Sequence, residues 1–447
     1  MPRKVFISFL GNGFYEPTKY VENTTDEVKV ESLRFIQEAT INAYCKDYNN
    51  NDIIYIFTTK GALLNWNDGE HKNFRTNSNE WYEGLGSRLK GLKLDCSFEN
   101  IMIPEGQSTD EIWEIFRIVY EKLQEKDELI FDITHGFRSL PMLNMVLINY
   151  AKLLKNITVK GIYYGAFDAK YLRNGVYYSP IWNLKDFEEL QEWTNSANIF
   201  LKTGNAIPLT SQMFDDIFNN LKQQLSNFSK YILVNRGLDI YNGSTMMALN
   251  EELSKGIDNF PKKYEPLKPI LAKIENEFKD YQNKNATNGF LAVRWCIQNG
   301  LIQQAATLLE EFIVTFVMIE IGEYDSIANH EKRTTIGGVL AIGRDKPFSY
   351  QKLPSECDII EPEKIIAIQQ FIDWQNEIVP VIKSLPYQKD ILKILNNLKN
   401  PIRNDINHAG FRARARDFDS LENSIKTRYI ETKNLISKVK NISLPEL

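Results

Sequence analysis

The sequence predicts an α/β domain followed by an all-α domain. Three observations carry that expectation. Over the first 180 or so residues, short apolar, β-branched or aromatic runs alternate with segments of helical spacing. From about Pro180 onward β-branched runs become scarce, and long amphipathic stretches replace them. At 447 residues the chain is also too long for one ordinary core, so two or three domains are expected.

The expected strands of the first part are Val5 to Phe9, Ile53 to Thr58, Phe98 to Ile103, Leu129 to Thr134 and Val159 to Ala166. The helices between them are expected over Thr25 to Cys45, Tyr82 to Leu92, Thr109 to Leu123 and Leu140 to Leu154, with Ser108-Thr109-Asp110-Glu111 in capping-box spacing at the start of the third. Strands and helices that alternate in this way imply a mostly parallel sheet with helices on both faces, a Rossmann-like domain. Beyond it, Leu184 to Leu201, Met213 to Leu233, Gly289 to Ile321, Pro362 to Leu385 and Phe418 to Ile442 read as helices. Loops are expected over Asp258 to Pro269 and Gly337 to Pro354, and no internal repeat or low-complexity tract is seen.

A net charge of −5 argues against a surface basic everywhere, so any nucleic-acid site must be local. Cys45, Cys96, Cys296 and Cys357 are scattered without CxxC pairing, as in a reduced, cytoplasmic protein. The start MPRKVFISFL breaks at Gly11-Asn12-Gly13 without a cleavage pattern and reads as a first strand. No apolar run approaches the roughly 20 residues of a membrane span, so a soluble protein is expected.

Chemistry concentrates at three strand ends, where open α/β sheets collect ligands. These are Gly11, Asn12 and Gly13; then Thr58, Thr59 and Lys60 before Gly61; then Thr134, His135, Gly136, Phe137 and Arg138. Glycines admit a phosphate close to the backbone, Lys60 and Arg138 bring positive charge, and hydroxyls and imidazole hydrogen-bond phosphate or base. Position 16 is Glu, so the third glycine of a dinucleotide fingerprint is missing and a plain NAD enzyme is not expected. Five distinct polar or special residues coincide on the strand-to-helix corner after Phe131, more than a turn requires. A catalytic role for His135 stays open, since a neighbouring hydroxyl and a basic residue do not make a hydrolytic triad.

The run Asp132-Ile133-Thr134-His135-Gly136-Phe137-Arg138 resembles the DxTHG signature of a family of CRISPR-associated accessory proteins of type III systems. The α/β-then-α order resembles the family's plan over the whole chain. The resemblance implies a CARF domain over 1–180 that senses cyclic oligoadenylate, a helical connecting region over 181–280, and a HEPN ribonuclease domain over 281–447. It implies a homodimer or higher oligomer, with the cyclic ligand across the CARF interface, and favours cyclic tetra-adenylate over hexa-adenylate. A symmetric ring suits a two-fold assembly.

HEPN nucleases carry Arg, four to six residues, then His, and Arg403-Asn404-Asp405-Ile406-Asn407-His408 is similar to that pattern. Asn400-Pro401 is expected to place Arg403 in the first turn of a helix, and the helix is expected to end near Gly410. On one regular helix Arg403 and His408 lie about 140° apart, which favours a site completed by a second protomer. Phe411, Arg412, Arg414 and Arg416 are expected to contact single-stranded RNA. Gln303-Gln304-Ala305 and Glu310-Glu311 also resemble the family's first HEPN helices, with packing and dimerisation as their expected role and a plain core helix as the favoured alternative.

The reaction implied is attack of a ribose 2′-OH on the adjacent phosphate. His408 moves a proton or positions the phosphate, Arg403 stabilises phosphoryl charge and Asn404 orients an oxygen. No metal or other cofactor is implied: His71, His135, His330 and His408 show no HxH or HExxH spacing. Two rivals stand beside this reading. One is a ligand-responsive transcription regulator, for which no compact basic recognition helix is found. The other is an enzyme that cuts the ring at the Thr134 to Arg138 corner while the helical domain dimerises.

Overall fold

The computed structural model describes residues 2–22, 28–73, 77–135, 140–256, 262–342, 362–411, 414–441, 444 and 446–447. The chain divides into two compact units, Met1–Glu189 and Leu190–Leu447.

In the first unit the strands are β1 (Lys4–Leu10), β2 (Thr18–Glu22), β3 (Val28–Leu33), β4 (Ile53–Thr58), β5 (Gly69–Asn73), β6 (Ser78–Tyr82), β7 (Ser97–Met102), β8 (Glu128–Asp132), β9 (Thr158–Gly165), β10 (Tyr171–Arg173) and β11 (Val176–Asn183). The main sheet has the order β3-β2-β11-β9-β8-β1-β4-β7, with β10 on β11. From β9 to β7 every neighbouring pair is parallel. The chain leaves β1 toward β4 and β7, then returns to β8 and β9 on the other side. The carboxyl ends of β1 and β8 therefore form the switch point at which doubly wound sheets bind ligands.

Both faces of this parallel core are buried because its strands are apolar at successive positions. Val5, Ile7 and Phe9 pack with Ile115, Val119, Leu147 and Ile148 of helices Thr109–Lys122 and Leu140–Lys155. Phe6, Ile54 and Ile56 face the other way, onto Ile41, Leu85 and Leu89 of helices Ile36–Tyr44 and Leu85–Gly91. Ser108 caps helix Thr109–Lys122 by accepting from Glu111 N at 3.2 Å, as its spacing predicts.

The helix expected from Thr25 is corrected to Ile36–Tyr44. The β-branched Val28 and Val30 instead pair with Val21 and Tyr20 in the β2–β3 hairpin. That hairpin, β10–β11 and the separate β5–β6 hairpin are additions to the expected strand set.

The second unit is helical, and one connected apolar cluster runs from Trp193 to Leu444. The single helix expected over Gly289 to Ile321 is two, Thr287–Gln298 and Ile302–Glu320, broken where Gly300 takes φ 68°. The expected loops are also partly helical, since helices Lys268–Phe278 and His330–Ile342 enter them. Helix Ile302–Glu320 is long and apolar enough to cross a membrane by length and composition, contrary to expectation, but most of it is buried in the core of this unit. Cys45, Cys96 and Cys296 are free and buried; Cys357 lies outside the described residues.

Candidate functional sites

At the end of β8, Asp132 is fully buried and accepts three hydrogen bonds: from Ser8 Oγ on β1 at 2.9 Å, Thr134 N at 3.0 Å and Thr134 Oγ1 at 2.5 Å. Burial drives its carboxyl pKa up, and the bonds from Thr134 and Ser8 oppose that rise. Thr134 Oγ1 accepts in turn from Gly165 N at the end of β9, at 2.7 Å. One carboxylate thus ties three adjacent strand ends together, which explains why Asp and Thr stand at the first and third positions of the corner. The Thr134 hydroxyl is engaged in this network, which gives it a positioning part beside the ligand contact expected of it.

His135 is partly buried and packs edge-on against Tyr15, ring centroids 4.6 Å apart. Burial lowers its pKa to about 4, so at neutral pH it is an uncharged donor and acceptor. Tyr15 Oη accepts from Gly11 N at 2.8 Å within the loop after β1, and the ring contact of Tyr15 with His135 joins that loop to the β8 end. A Cβ built on Gly11 meets Tyr15 Oη at 3.1 Å and His135 Nδ1 at 3.2 Å, so the close approach explains the glycine. Gly136, Phe137 and Arg138 lie outside the described residues.

Asn12 and Gly13 are exposed on the β1 loop. The buried Asn65 holds that loop from below, donating from Nδ2 to the carbonyls of Gly11 and Gly13, each at 2.8 Å. At the β4 end Thr58 is fully buried, which removes it from direct ligand contact, and Thr59 Oγ1 accepts from Ala62 N at 3.3 Å. Lys60 is exposed, while the Gly61 N–H is taken by Glu105 Oε1 at 2.8 Å. Of the residues expected at this corner, Lys60 is the one that presents itself outward.

A cavity of about 250 Å³ opens beside Thr134 and His135, lined also by Phe14, Tyr15, Arg34 and Gly165. Arg34 is absent from the sequence-based site. It follows β3 directly and carries no motif, so nothing in its neighbours announced it.

In the second unit Arg403 does not open a helix. It ends a π-helical segment, Lys399–Arg403, that continues helix Gln388–Leu398, and one more turn, Asn404–Asn407, follows. Pro401 lacks an N–H for the regular ladder, and the widened turn accommodates it. The expected first-turn N–H groups are therefore spent within the continuing helix. His408 is exposed at the end of that turn, its N–H bonded to Asn404 O at 3.0 Å. Ala409 and Gly410 both take positive φ and stop the helix where expected.

Arg403 Nη1 donates to Glu310 Oε2 at 2.8 Å, and Lys399 Nζ lies 3.5 Å from Glu310 Oε1. Glu310 projects from the buried helix Ile302–Glu320. A carboxylate in so apolar a run was the signal available in the sequence, and reading it as part of a packing and dimerisation helix missed its cationic partners. Asp405 is buried, and its Oδ2 accepts from Arg416 N at 2.9 Å, fixing the return of the chain after the motif. Phe411 is 92% exposed, and Arg414 and Arg416 are exposed. Arg412 lies outside the described residues.

Parts of the chain are similar to CRISPR-associated proteins. Residues 5–168 match the family model of the CARF domain of the CRISPR system endoribonuclease Csx1. Residues 189–285 match the second domain of the CRISPR-associated protein MJ1674. The MJ1674 protein of Methanocaldococcus jannaschii is 28% identical over 209 residues, which cover 43% of this chain and 32% of that protein. The chain therefore matches about a third of the length of this curated relative.

Proposed function

We propose that the protein is a cyclic oligoadenylate-activated endoribonuclease that cleaves single-stranded RNA in type III CRISPR defence, acting in the cytoplasm as a homodimer or higher oligomer. The observation that carries the reading is the match of residues 5–168 to the CARF domain of an endoribonuclease. In this reading residues 1–180 sense the ring, 181–280 connect, and 281–447 form the HEPN nuclease.

Cyclic tetra-adenylate is the favoured activator, and it docks at the carboxyl ends of β1, β4 and β8. Gly11, Asn12, Gly13, Lys60 and His135 face it, joined by Gly136, Phe137 and Arg138. In the nuclease, Arg403, tethered through Nη1 to Glu310, carries a fixed guanidinium toward the scissile phosphate. The RNA 2′-OH attacks the adjacent phosphorus as the P–O5′ bond breaks. His408 handles the proton and Asn404 orients a phosphoryl oxygen, leaving a 2′,3′-cyclic phosphate and a 5′-OH. The nucleophile belongs to the substrate, so the chemistry calls for no metal. Phe411, with Arg414 and Arg416, supplies stacking and charge for the strand.

The experiment is cleavage of a fluorogenic single-stranded RNA in chelator, with and without cyclic tetra- or hexa-adenylate, for wild type and His408→Ala. Ring-dependent cleavage that disappears in His408→Ala is expected. Ring binding without cleavage would overturn the nuclease assignment and leave a sensor.

A further inference from the structure

Arg34 is 7% exposed, yet its Nη1 and Nη2 are buried without a hydrogen-bond partner among the described residues. Its Nε is satisfied by Tyr15 O at 3.1 Å. Aromatic rings surround the rest: the guanidinium carbon lies 4.1 Å from the Tyr82 ring centre and 5.3 Å from those of Phe14 and Phe35. The rings hold the planar group, and two donor nitrogens are left with nothing to bond.

A buried cation without a counter-charge is costly, and chains keep one where something anionic compensates it. The acidic groups near this cavity are otherwise disposed. Glu16 is engaged by Lys170, Nζ to Oε2 at 3.6 Å, and Asp168 is exposed to solvent. Glu38, on the helix that follows Arg34, accepts from both Nε and Nη2 of Arg88. His135 on the opposite wall is neutral at pH 7 and neither repels nor replaces an anion.

We propose that the Arg34 cavity is an anion subsite that takes a phosphate group through the two guanidinium nitrogens, which are covered in this structure and turn toward the cavity when the anion binds, with Tyr82 of the β5–β6 hairpin packing on the guanidinium. A phosphate oxygen pair matches the edge of a guanidinium in the bidentate geometry that makes such contacts strong. The cavity is continuous with Thr134, His135 and Gly165, so a phosphate bound there touches the same corner as the switch-point ligand. That the occupant is a phosphodiester of the cyclic oligonucleotide rests on the function proposed above. That the cavity selects a phosphate does not.

The test is thermal unfolding of the full chain as wild type, Arg34→Met and Arg34→Lys, in sodium chloride and in sodium phosphate at matched ionic strength, then with 5′-AMP and with cyclic tetra-adenylate. Wild type is expected to gain about 2–4 °C in phosphate. Arg34→Met is expected to lose that gain while keeping or raising its melting temperature in chloride, because an uncompensated charge has gone. A merely structural Arg34 predicts the reverse, a lower melting temperature and an intact phosphate response, and that result overturns the proposal. Should Arg34→Met fail to fold, Arg34→Lys decides: it keeps the charge, loses the fork, and is expected to weaken phosphate binding about tenfold, read by ³¹P line broadening. Unchanged binding in Arg34→Lys overturns the subsite. A phosphate gain without any gain from the ring keeps the subsite and defeats the ring reading; equal ring gains in wild type and Arg34→Met keep the ring and defeat the subsite.

Discussion

Arg403 and Glu310, 93 positions apart in sequence, form an ion pair at 2.8 Å between the π-helical segment and the largely buried helix Ile302–Glu320 of the second unit. Glu310 is nearly enclosed and Arg403 is partly exposed, so the carboxylate is the fixed partner and the guanidinium the held one. Glu310→Ala leaves Arg403 and Lys399 without this anion, and the discount for partial exposure puts the cost at about 1–3 kcal/mol. The urea midpoint checks it. In the proposed nuclease, Glu310→Ala is also expected to lower kcat about tenfold or more with KM changed less than about twofold, since the residue positions a group without touching RNA. A KM rise at constant kcat would make Glu310 part of the RNA surface instead.

The Asp132 network gives a second prediction. Asn has the shape of Asp but turns one acceptor into a donor facing Ser8 Oγ or the Thr134 groups, all at hydrogen-bond distance. Asp132→Asn is expected to destabilise the protein by about 2–4 kcal/mol, and Ser8→Ala, which deletes one bond, by about 1 kcal/mol. Denaturant unfolding followed by tryptophan fluorescence separates the two. A midpoint for Asp132→Asn equal to that of Ser8→Ala would mean that Thr134 does not depend on the carboxylate.

The central parallel strands β1 and β4 were legible because they are apolar on both faces, a pattern that polar loops interrupt cleanly, as at Val5 to Phe9 and Ile53 to Thr58. The additional strands hid for the opposite reason. β5 and β6, Gly-Glu-His-Lys-Asn and Ser-Asn-Glu-Trp-Tyr, bury little and have no apolar alternation to read. Val28 to Leu33 was absorbed into the helix expected from Thr25, although Val28 and Val30 alternate with Lys29 and Glu31 at the period of a strand, the pattern that pairing with β2 realises. At the site, the DxTHG corner was found from its residues, but the division of labour within it was not. Whether Asp132 and Thr134 face a ligand or brace the strands depends on Ser8 and Gly165, which only the sheet brings near. Arg34 was invisible because its significance lies in what its two terminal nitrogens lack among the described residues, a hydrogen-bond partner, and sequence does not record a missing contact.

His135 makes stability depend on pH. Its pKa falls from 6.5 in the unfolded chain to about 4 in the fold, with burial as the cause. Between those values the unfolded chain binds the extra proton, so this contribution is complete above about pH 6.5 and is lost as pH falls toward 4. The full difference corresponds to about 3 kcal/mol. His135→Gln removes the titration while keeping a polar side chain. Its unfolding free energy is expected to fall less steeply than that of wild type from pH 6.5 to 4.5, measured by urea titration at each pH. Parallel curves would mean that another group carries the acid sensitivity.

Gly289 and Phe312 set the spacing of the two helices that begin the last stretch of the chain. A Cβ on Gly289 would stand 1.9 Å from Phe312 Cδ1 and Cγ, and Phe312 is 1% exposed with no open side to move into. Gly289→Ala raises helix propensity, which alone stabilises by about 1 kcal/mol. The overlap outweighs it, because closely packed interiors convert one added methyl into shifts of ring and backbone that cost about 1–3 kcal/mol or more. The net expectation is a loss of about 1–3 kcal/mol in unfolding free energy. Phe312→Leu in the same chain relieves the overlap, so the double variant is expected to be more stable than the sum of the single losses, a coupling a double-mutant cycle measures directly. Gly13 supplies the control. A Cβ there meets nothing within 4 Å and its φ is not positive, so Gly13→Ala is expected to change stability by less than about 0.5 kcal/mol.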